Sequence, residues 1–133
     1  LENSLQISTE QKILIIDDDE ILCKVIGEGL EEENYSVTCS FSGKEGLAKL
    51  KTERYVLVLL DYQMPEMDGY EVLQEIRIIY PSLPVIIITA NDDIDIIKKL
   101  EVKGISDLVI KPFEIEDLLT RIQKCILKTE ISP

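Results

Sequence analysis

Asp17, Asp18, Asp61, Thr89 and Lys111 each stand at or just past the end of a short apolar run, and the five side chains together make a kit for phosphorus chemistry. The Asp17, Asp18, Asp19 cluster closes the run 13–16, Asp61 closes 56–60, Thr89 closes 85–88 and Lys111 closes 108–110. Carboxylates gathered in one place repel one another, and a hard cation relieves that repulsion. Magnesium suits such a site, because it takes oxygen ligands octahedrally, keeps some waters and binds through one or two carboxylates plus phosphate oxygen. Calcium suits it less, since nothing here resembles a twelve-residue EF-hand loop. A carboxylate can attack phosphorus to give an acyl phosphate. The cation then offsets the repulsion between an anionic nucleophile and an anionic donor. A lysine ammonium and a threonine hydroxyl can hold the other phosphoryl oxygens.

Taken singly, each residue has a plainer explanation: an acidic turn caps a helix, a threonine satisfies a turn, a lysine sits on the surface. What argues for chemistry is their recurrence at successive strand ends. The run 56–60 is apolar throughout, as suits a strand buried on both faces of a sheet. It stops at Asp61, and Pro65 and Gly69 mark an irregular turn into the next helix. Open α/β sheets bind their ligands beyond the carboxyl ends of central strands, which makes Asp61 the candidate nucleophile.

The remaining segments supply the elements that would position these groups. After residues 13–16, helical spacing of Ile21, Leu22, Val25, Ile26 and Leu30 predicts a helix ended by Asn34. Residues 35–41 form a second strand of mixed polarity, nearer an edge. Ser42 and Glu45 make a capping box that opens a short helix through Leu47 and Leu50. A third helix shows Val72, Leu73, Ile76 and Ile79 on one face, broken by Pro81 and Pro84. Residues 85–88 follow as a buried strand. Asp92 or Asp93 caps a fourth helix carrying Ile94, Ile97 and Leu100, with Gly104 past its end. After the strand 108–110, the last helix carries Ile115, Leu118, Leu119, Ile122 and Ile126. Strict strand–helix alternation, five times over, implies an α/β fold: a doubly wound five-stranded parallel sheet with helices on both faces. The order 2-1-3-4-5, of the flavodoxin-like kind, suits a polar-mixed second strand at one edge.

Length and charge narrow the function classes. At 133 residues the chain is one domain. Residues 1–11 read as a tail or severed linker, 12–128 as the domain and 129–133 as a C-terminal tail. A formal net charge of −12 speaks against direct nucleic-acid binding, and no apolar run approaches the length for membrane insertion. Cys23, Cys39 and Cys125 lie far apart, and with no histidine in the chain there is no Cys/His metal motif. They read as small buried thiols of a reduced, cytoplasmic protein.

The combination Ile-Leu-Ile-Ile-Asp17-Asp18-Asp19, Leu-Leu-Asp61-Tyr-Gln-Met64-Pro65-Glu-Met67-Asp68-Gly69, Ile-Ile-Thr89-Ala90 and Val-Ile-Lys111-Pro112-Phe113 resembles the receiver domain of bacterial two-component response regulators. The resemblance covers about residues 12–128. It implies that Asp61 takes a phosphoryl group from a kinase phosphohistidine, supplied by a sensor histidine kinase or a histidine phosphotransfer domain, and switches conformation to regulate an output. It implies that Asp18 and Asp61 ligate Mg²⁺ directly and Asp17 through water, with the backbone carbonyl of Gln63 as a further ligand. Thr89 would bond the phosphoryl group, Lys111 would pair with it, and Lys111–Pro112 would be a cis bond. Such a domain catalyses its own Mg-dependent phosphorylation and dephosphorylation without being a turnover enzyme in the usual sense.

The sequence also departs from the family. Leu108 replaces an aromatic switch residue, Val56 a commonly acidic one, and Glu116 an arginine that pairs across the dimer of many transcription-factor receivers. Arg121 and Asp107 do match that dimer pattern. Acid facing acid across a two-fold axis costs binding. The expectation is therefore a weak dimer or none through the face of the fourth helix, fifth strand and fifth helix, and a hybrid histidine kinase or phosphorelay component rather than a DNA-binding regulator. Two other readings compete. A metal-dependent phosphatase would need a second acid just past Asp61, where Tyr62 and Gln63 stand. A degenerate receiver acting as a phosphate-independent interaction module fits poorly with intact Asp18, Asp61, Thr89 and Lys111.

Overall fold

A computed structural model describes residues 10–131. Its strands are β1 (Lys12–Ile16), β2 (Ser36–Ser40), β3 (Leu57–Asp61), β4 (Val85–Thr89) and β5 (Asp107–Ile110). Its helices are α1 (Glu20–Glu32), α2 (Gly43–Thr52), α3 (Gly69–Ile79), α4 (Ile94–Lys103) and α5 (Ile115–Ile131). The strands are all parallel, in the order β2-β1-β3-β4-β5. The expected fold is therefore present. The central strands β3 and β4 are buried along their whole length, whereas the edges β2 and β5 are mostly half-buried.

Alternation along β1 divides the core in two. Ile13 and Ile15 face one cluster with Cys23, Ile26 and Leu30 of α1 and Leu118, Ile122 and Ile126 of α5. Leu14 and Ile16 face the other, with Leu50 of α2, Val72, Leu73 and Ile76 of α3, and Leu100 of α4. Two helices thus cover one face and three the other, so every strand of the sheet's centre is screened from water on both sides.

The helix starts follow local chemistry. Asp19 caps α1 by accepting from Leu22 N at 3.0 Å. Ser42 accepts from Glu45 N at 3.1 Å, but the Glu45 carboxylate bonds Phe41 N at 2.9 Å rather than Ser42 N, so the box closes one residue early. A full capping box, Asp68 with Glu71, opens α3. Asp93, not Asp92, caps α4. Asn34, with φ 70°, turns the chain out of α1 in the left-handed region that asparagine tolerates.

The inward face of α1 differs from the expected one. Ile21 is 77% exposed and Val25 44%, while Cys23 and Gly27 take the buried positions beside Ile26 and Leu30. Small residues let α1 lie close to the sheet, and the apolar Ile21 and Val25 stay outside. The tail reading of residues 1–9 lies outside the described residues. At the other end α5 continues through residues 129–131.

Candidate functional site

Parallel pairing brings the ends of β1, β3, β4 and β5 to one rim, and the expected side chains meet there. Carboxylate oxygens of Asp17, Asp18 and Asp61 all lie within 4.8 Å of one another. Asp17 is 2% exposed and Asp61 4%, so the negative charge is held largely out of water, while Asp18 is exposed. Lys111 Nζ donates to Asp61 Oδ1 at 3.5 Å, a long contact. One ammonium at that distance does not balance three carboxylates.

The same imbalance bears on the protonation of the acids. Burial raises the Asp61 carboxyl to about 6, the charge of Asp17 adds to the rise, and Lys111 offsets only part of it. Asp17 is raised as well, chiefly by burial, with the Asp19 backbone N–H and Lys111 acting against the rise. That N–H bonds Asp17 Oδ1 at 2.9 Å. Asp19 itself points its carboxylate at the start of α1. Of the three consecutive acids, two therefore face the rim and the third is a cap.

Thr89 is 1% exposed at the end of β4. Its hydroxyl oxygen accepts from Asn91 N at 2.9 Å, which leaves the hydroxyl proton to be donated. Asn91 Oδ1 accepts from Asp93 N at 2.8 Å, and Asp93 Oδ1 from Asp95 N at 2.8 Å. This run of side-chain-to-backbone bonds ties Thr89 to the first turn of α4. Lys111 N bonds Thr89 O at 2.8 Å across the β4–β5 edge, and the Lys111–Pro112 bond is cis.

Gln63 is exposed in the loop just beyond Asp61. The loop is anchored below by Met64, 9% exposed, and closed by Gly69 N donating to Tyr62 O at 2.7 Å. A Cβ on Gly69 would sit 2.7 Å from Tyr62 Cα and 3.0 Å from Asp61 O. Only glycine permits that approach of backbone to backbone. Glu66 adopts φ 71°, a conformation that is uncommon for a long side chain. Gly69 reads from the sequence as a turn marker; its closeness to Asp61 belongs to the folded loop, and no local signal gives it.

A model of the response regulator receiver domain matches residues 13–123. The chain belongs to this family. Among curated relatives, it is 44% identical over 115 residues to the transcriptional regulatory protein YkoG of Bacillus subtilis, a match covering 86% of this chain and 50% of that protein. It is 42% identical to the response regulator ArlR of Staphylococcus saprophyticus, covering 84% of this chain and 50% of that one. The receiver domain thus spans about half the length of these relatives. Among solved structures it resembles a CheY-like receiver domain of Methanospirillum hungatei, with a TM-score of 0.90, 29% identity, and coverage of 94% and 100% of the two chains. It also resembles CheY4 of Vibrio cholerae, with a TM-score of 0.84, 26% identity, and coverage of 88% and 99%. Among the described residues no helix is long and apolar enough to cross a membrane.

Proposed function

We propose that Asp61 is the phosphoacceptor of this receiver domain, taking its phosphoryl group from a phosphohistidine of a sensor histidine kinase or a histidine phosphotransfer domain in the cytoplasm. The observation that carries this reading is the burial of Asp61 among carboxylates within 4.8 Å, with one lysine ammonium 3.5 Å away. In the transfer, an Asp61 carboxylate oxygen bonds to phosphorus as the donor's P–N bond breaks, and the leaving imidazole keeps the nitrogen electron pair and takes up a proton. The Thr89 hydroxyl donates to one phosphoryl oxygen, and the Lys111 ammonium exchanges its long contact with Asp61 for another.

The donor set fits a hard divalent cation: all oxygen, crowded, and under-neutralised. Asp17, Asp18 and Asp61, with the backbone carbonyl of Gln63, would hold Mg²⁺, which when bound neutralises the carboxylates and the charge on the transferring oxygens. The experiment is labelling with a small phosphodonor such as phosphoramidate. Labelling should require millimolar Mg²⁺, stop with chelator, and fall steeply in Asp18→Ala. Full labelling of Asp18→Ala in chelator would refute the metal assignment.

The switch follows from the bonds of Thr89. Movement of its hydroxyl toward a phosphoryl group breaks the 2.9 Å bond from Asn91 N and so releases the cap of α4. Leu108 is half-buried against the cluster beneath α4 and offers no aromatic ring to follow that movement. Output therefore runs through α4. On the opposite face of the sheet, beside β5, Arg121 is held within the chain, by Asp107 at 2.9 and 3.0 Å and by Asp117 at 2.9 Å, and Glu116 adds further acid. These contacts support a weak dimer or none through α4, β5 and α5. The relatives' names favour transcriptional output over the hybrid kinase that Glu116 suggested. Sedimentation with and without a beryllofluoride mimic tests the interface, whichever output the domain serves: no activation-dependent dimer is expected, and a strong one lost on substitution of Asp107 and Arg121 would overturn the expectation.

A further inference from the structure

Cys23 and Cys39 are sixteen residues apart in sequence and adjacent in the fold. Cys23 lies on the sheet-facing side of α1, 1% exposed, and Cys39 lies on the edge strand β2, half-buried. Cys39 Sγ donates to Cys23 O at 3.7 Å, and Cys23 Sγ donates to Asp17 O at 3.5 Å. Cys125, on α5, shares the same core cluster without such a bond to either.

We propose that Cys39 and Cys23 form a peroxide-sensitive dithiol, in which Cys39 reduces a hydroperoxide and Cys23 converts the product into a disulfide joining β2 to α1. Three features divide the roles. Cys39 is the more accessible of the two and lies on β2, an edge strand of the sheet among the described residues. The Cys23 thiol can turn its proton from the Asp17 carbonyl to a Cys39 thiolate, which lowers the Cys39 thiol from its ordinary value. Cys23 is sealed from solvent, and among the described residues Cys39 is the thiol set beside it. A reactive thiol poised next to a resolving one is the arrangement that yields a reversible disulfide rather than overoxidation.

The chemistry balances. Cys39 gives up its proton to become a thiolate, the thiolate attacks one peroxide oxygen, the O–O bond breaks, and the departing hydroxide takes up that released proton to leave as water. Cys39 is then a sulfenic acid. Cys23 sulfur attacks Cys39 sulfur, the S–O bond breaks, and the hydroxide released leaves as water with the Cys23 proton. Two thiols and one hydroperoxide give one disulfide and two waters, or one water and an alcohol for an organic peroxide. The product lacks the proton that Cys23 shares with the Asp17 carbonyl, one residue from Asp18, so oxidation is felt at the acidic rim.

The test treats the full chain, folded in native buffer, with hydrogen peroxide, followed by alkylation and digestion without reductant. The expected product is a monomer lighter by two hydrogens, with the Cys23 and Cys39 peptides joined, Cys125 still alkylated, and full reversal by dithiothreitol. In Cys23→Ser the Cys39 sulfenic acid should accumulate and be trapped by dimedone. The wild-type arm stands without the variant, should Cys23→Ser fold poorly. Peroxide-treated wild type whose Cys39 alkylates as fast as in untreated protein would overturn the proposal. Oxidation first at Cys125, or through bonds between chains, would overturn it equally.

Discussion

The two rims of the sheet treat their polar groups in opposite ways. At the amino-end rim, the Arg77 guanidinium at the end of α3 donates to Gly104 O at 2.7 and 3.0 Å, to Tyr80 O at 3.1 Å and to Leu83 O at 2.8 Å. One cation there stitches the ends of α3 and α4 and the approach to β4. Beside it Tyr80 Oη donates to Leu50 O at 3.1 Å and Tyr55 Oη to Glu53 at 2.7 Å. At the carboxyl-end rim three carboxylates share one distant ammonium, and burial and mutual repulsion push Asp61 up to about 6. The first rim is closed by hydrogen bonds and serves the fold. The second is left open, and its unbalanced charge is what makes it a place for a cation and an anionic ligand.

The largest effect that should separate the rims is Arg77→Ala. It strips the donors from three backbone carbonyls, and a loss of about 3 kcal/mol in urea unfolding is expected. Arg77→Lys should restore little of it, because one ammonium cannot reproduce the two-pronged contact with Gly104 O. The folded fraction should still accept phosphoryl groups at the wild-type rate. Loss of labelling in protein shown to be folded would join the two rims functionally and break the contrast.

At the other rim the sign reverses. Asp61→Asn removes one of three repelling charges, so metal-free protein at neutral pH should gain about 1–2 kcal/mol of stability while losing its acceptor. A destabilised Asp61→Asn would show that Lys111 and Asp61 act mainly as a structural ion pair.

The same imbalance gives a pH signature. The folded Asp61 carboxyl holds its proton more tightly than an unfolded one near the ordinary carboxylate value. Its contribution to stability is therefore fully present below about pH 4 and lost as pH rises through about 6. Without divalent cations, wild type should lose about 1 kcal/mol relative to Asp61→Asn between pH 5 and 7.5, after allowance for solvent screening. Parallel stability curves for the two proteins across that range would remove the repulsion from the picture.

The smallest effect is expected at Lys111, whose side chain is 29% exposed and whose contact with Asp61 is long. Lys111→Ala should stay folded, shift stability by less than about 1 kcal/mol, and bind Mg²⁺ more tightly because a competing cation is gone. It should fail to pass a signal from Thr89 to α4. Unfolding of this variant at room temperature would make Lys111 part of the scaffold.

These contrasts show what local sequence can carry. Asp61, Thr89 and Lys111 are legible because each interrupts an apolar run, and parallel strands send such interruptions to one rim. Pattern alone does not fix the order of the sheet; the polar residues mixed into β2 point only to an edge position for that strand, which the order 2-1-3-4-5 suits. What stayed hidden depends on contacts between distant segments. Asp17, Asp18 and Asp19 look alike until the first turn of α1 claims Asp19. Arg77 looks like any basic residue near the end of a helix, since its partners Gly104 and Leu83 arrive from other segments. Ile21 and Val25 fit a helical stripe as well as Cys23 does, and only the closeness of α1 to the sheet decides which residues go in. Cys23 and Cys39 read as isolated thiols because nothing in either neighbourhood reveals that α1 lies across β2.

The most direct measurement is the site of the phosphoryl group. Wild type and Asp61→Asn are incubated with phosphoramidate and Mg²⁺, and the intact proteins and their peptides are weighed before and after hydroxylamine, which cleaves acyl phosphates. A single hydroxylamine-sensitive phosphoryl group on the peptide containing Asp61, absent from Asp61→Asn, is the expected result. Labelling of Asp61→Asn at the wild-type rate, or a phosphoryl group that survives hydroxylamine on another residue, would contradict the assignment of Asp61 as acceptor.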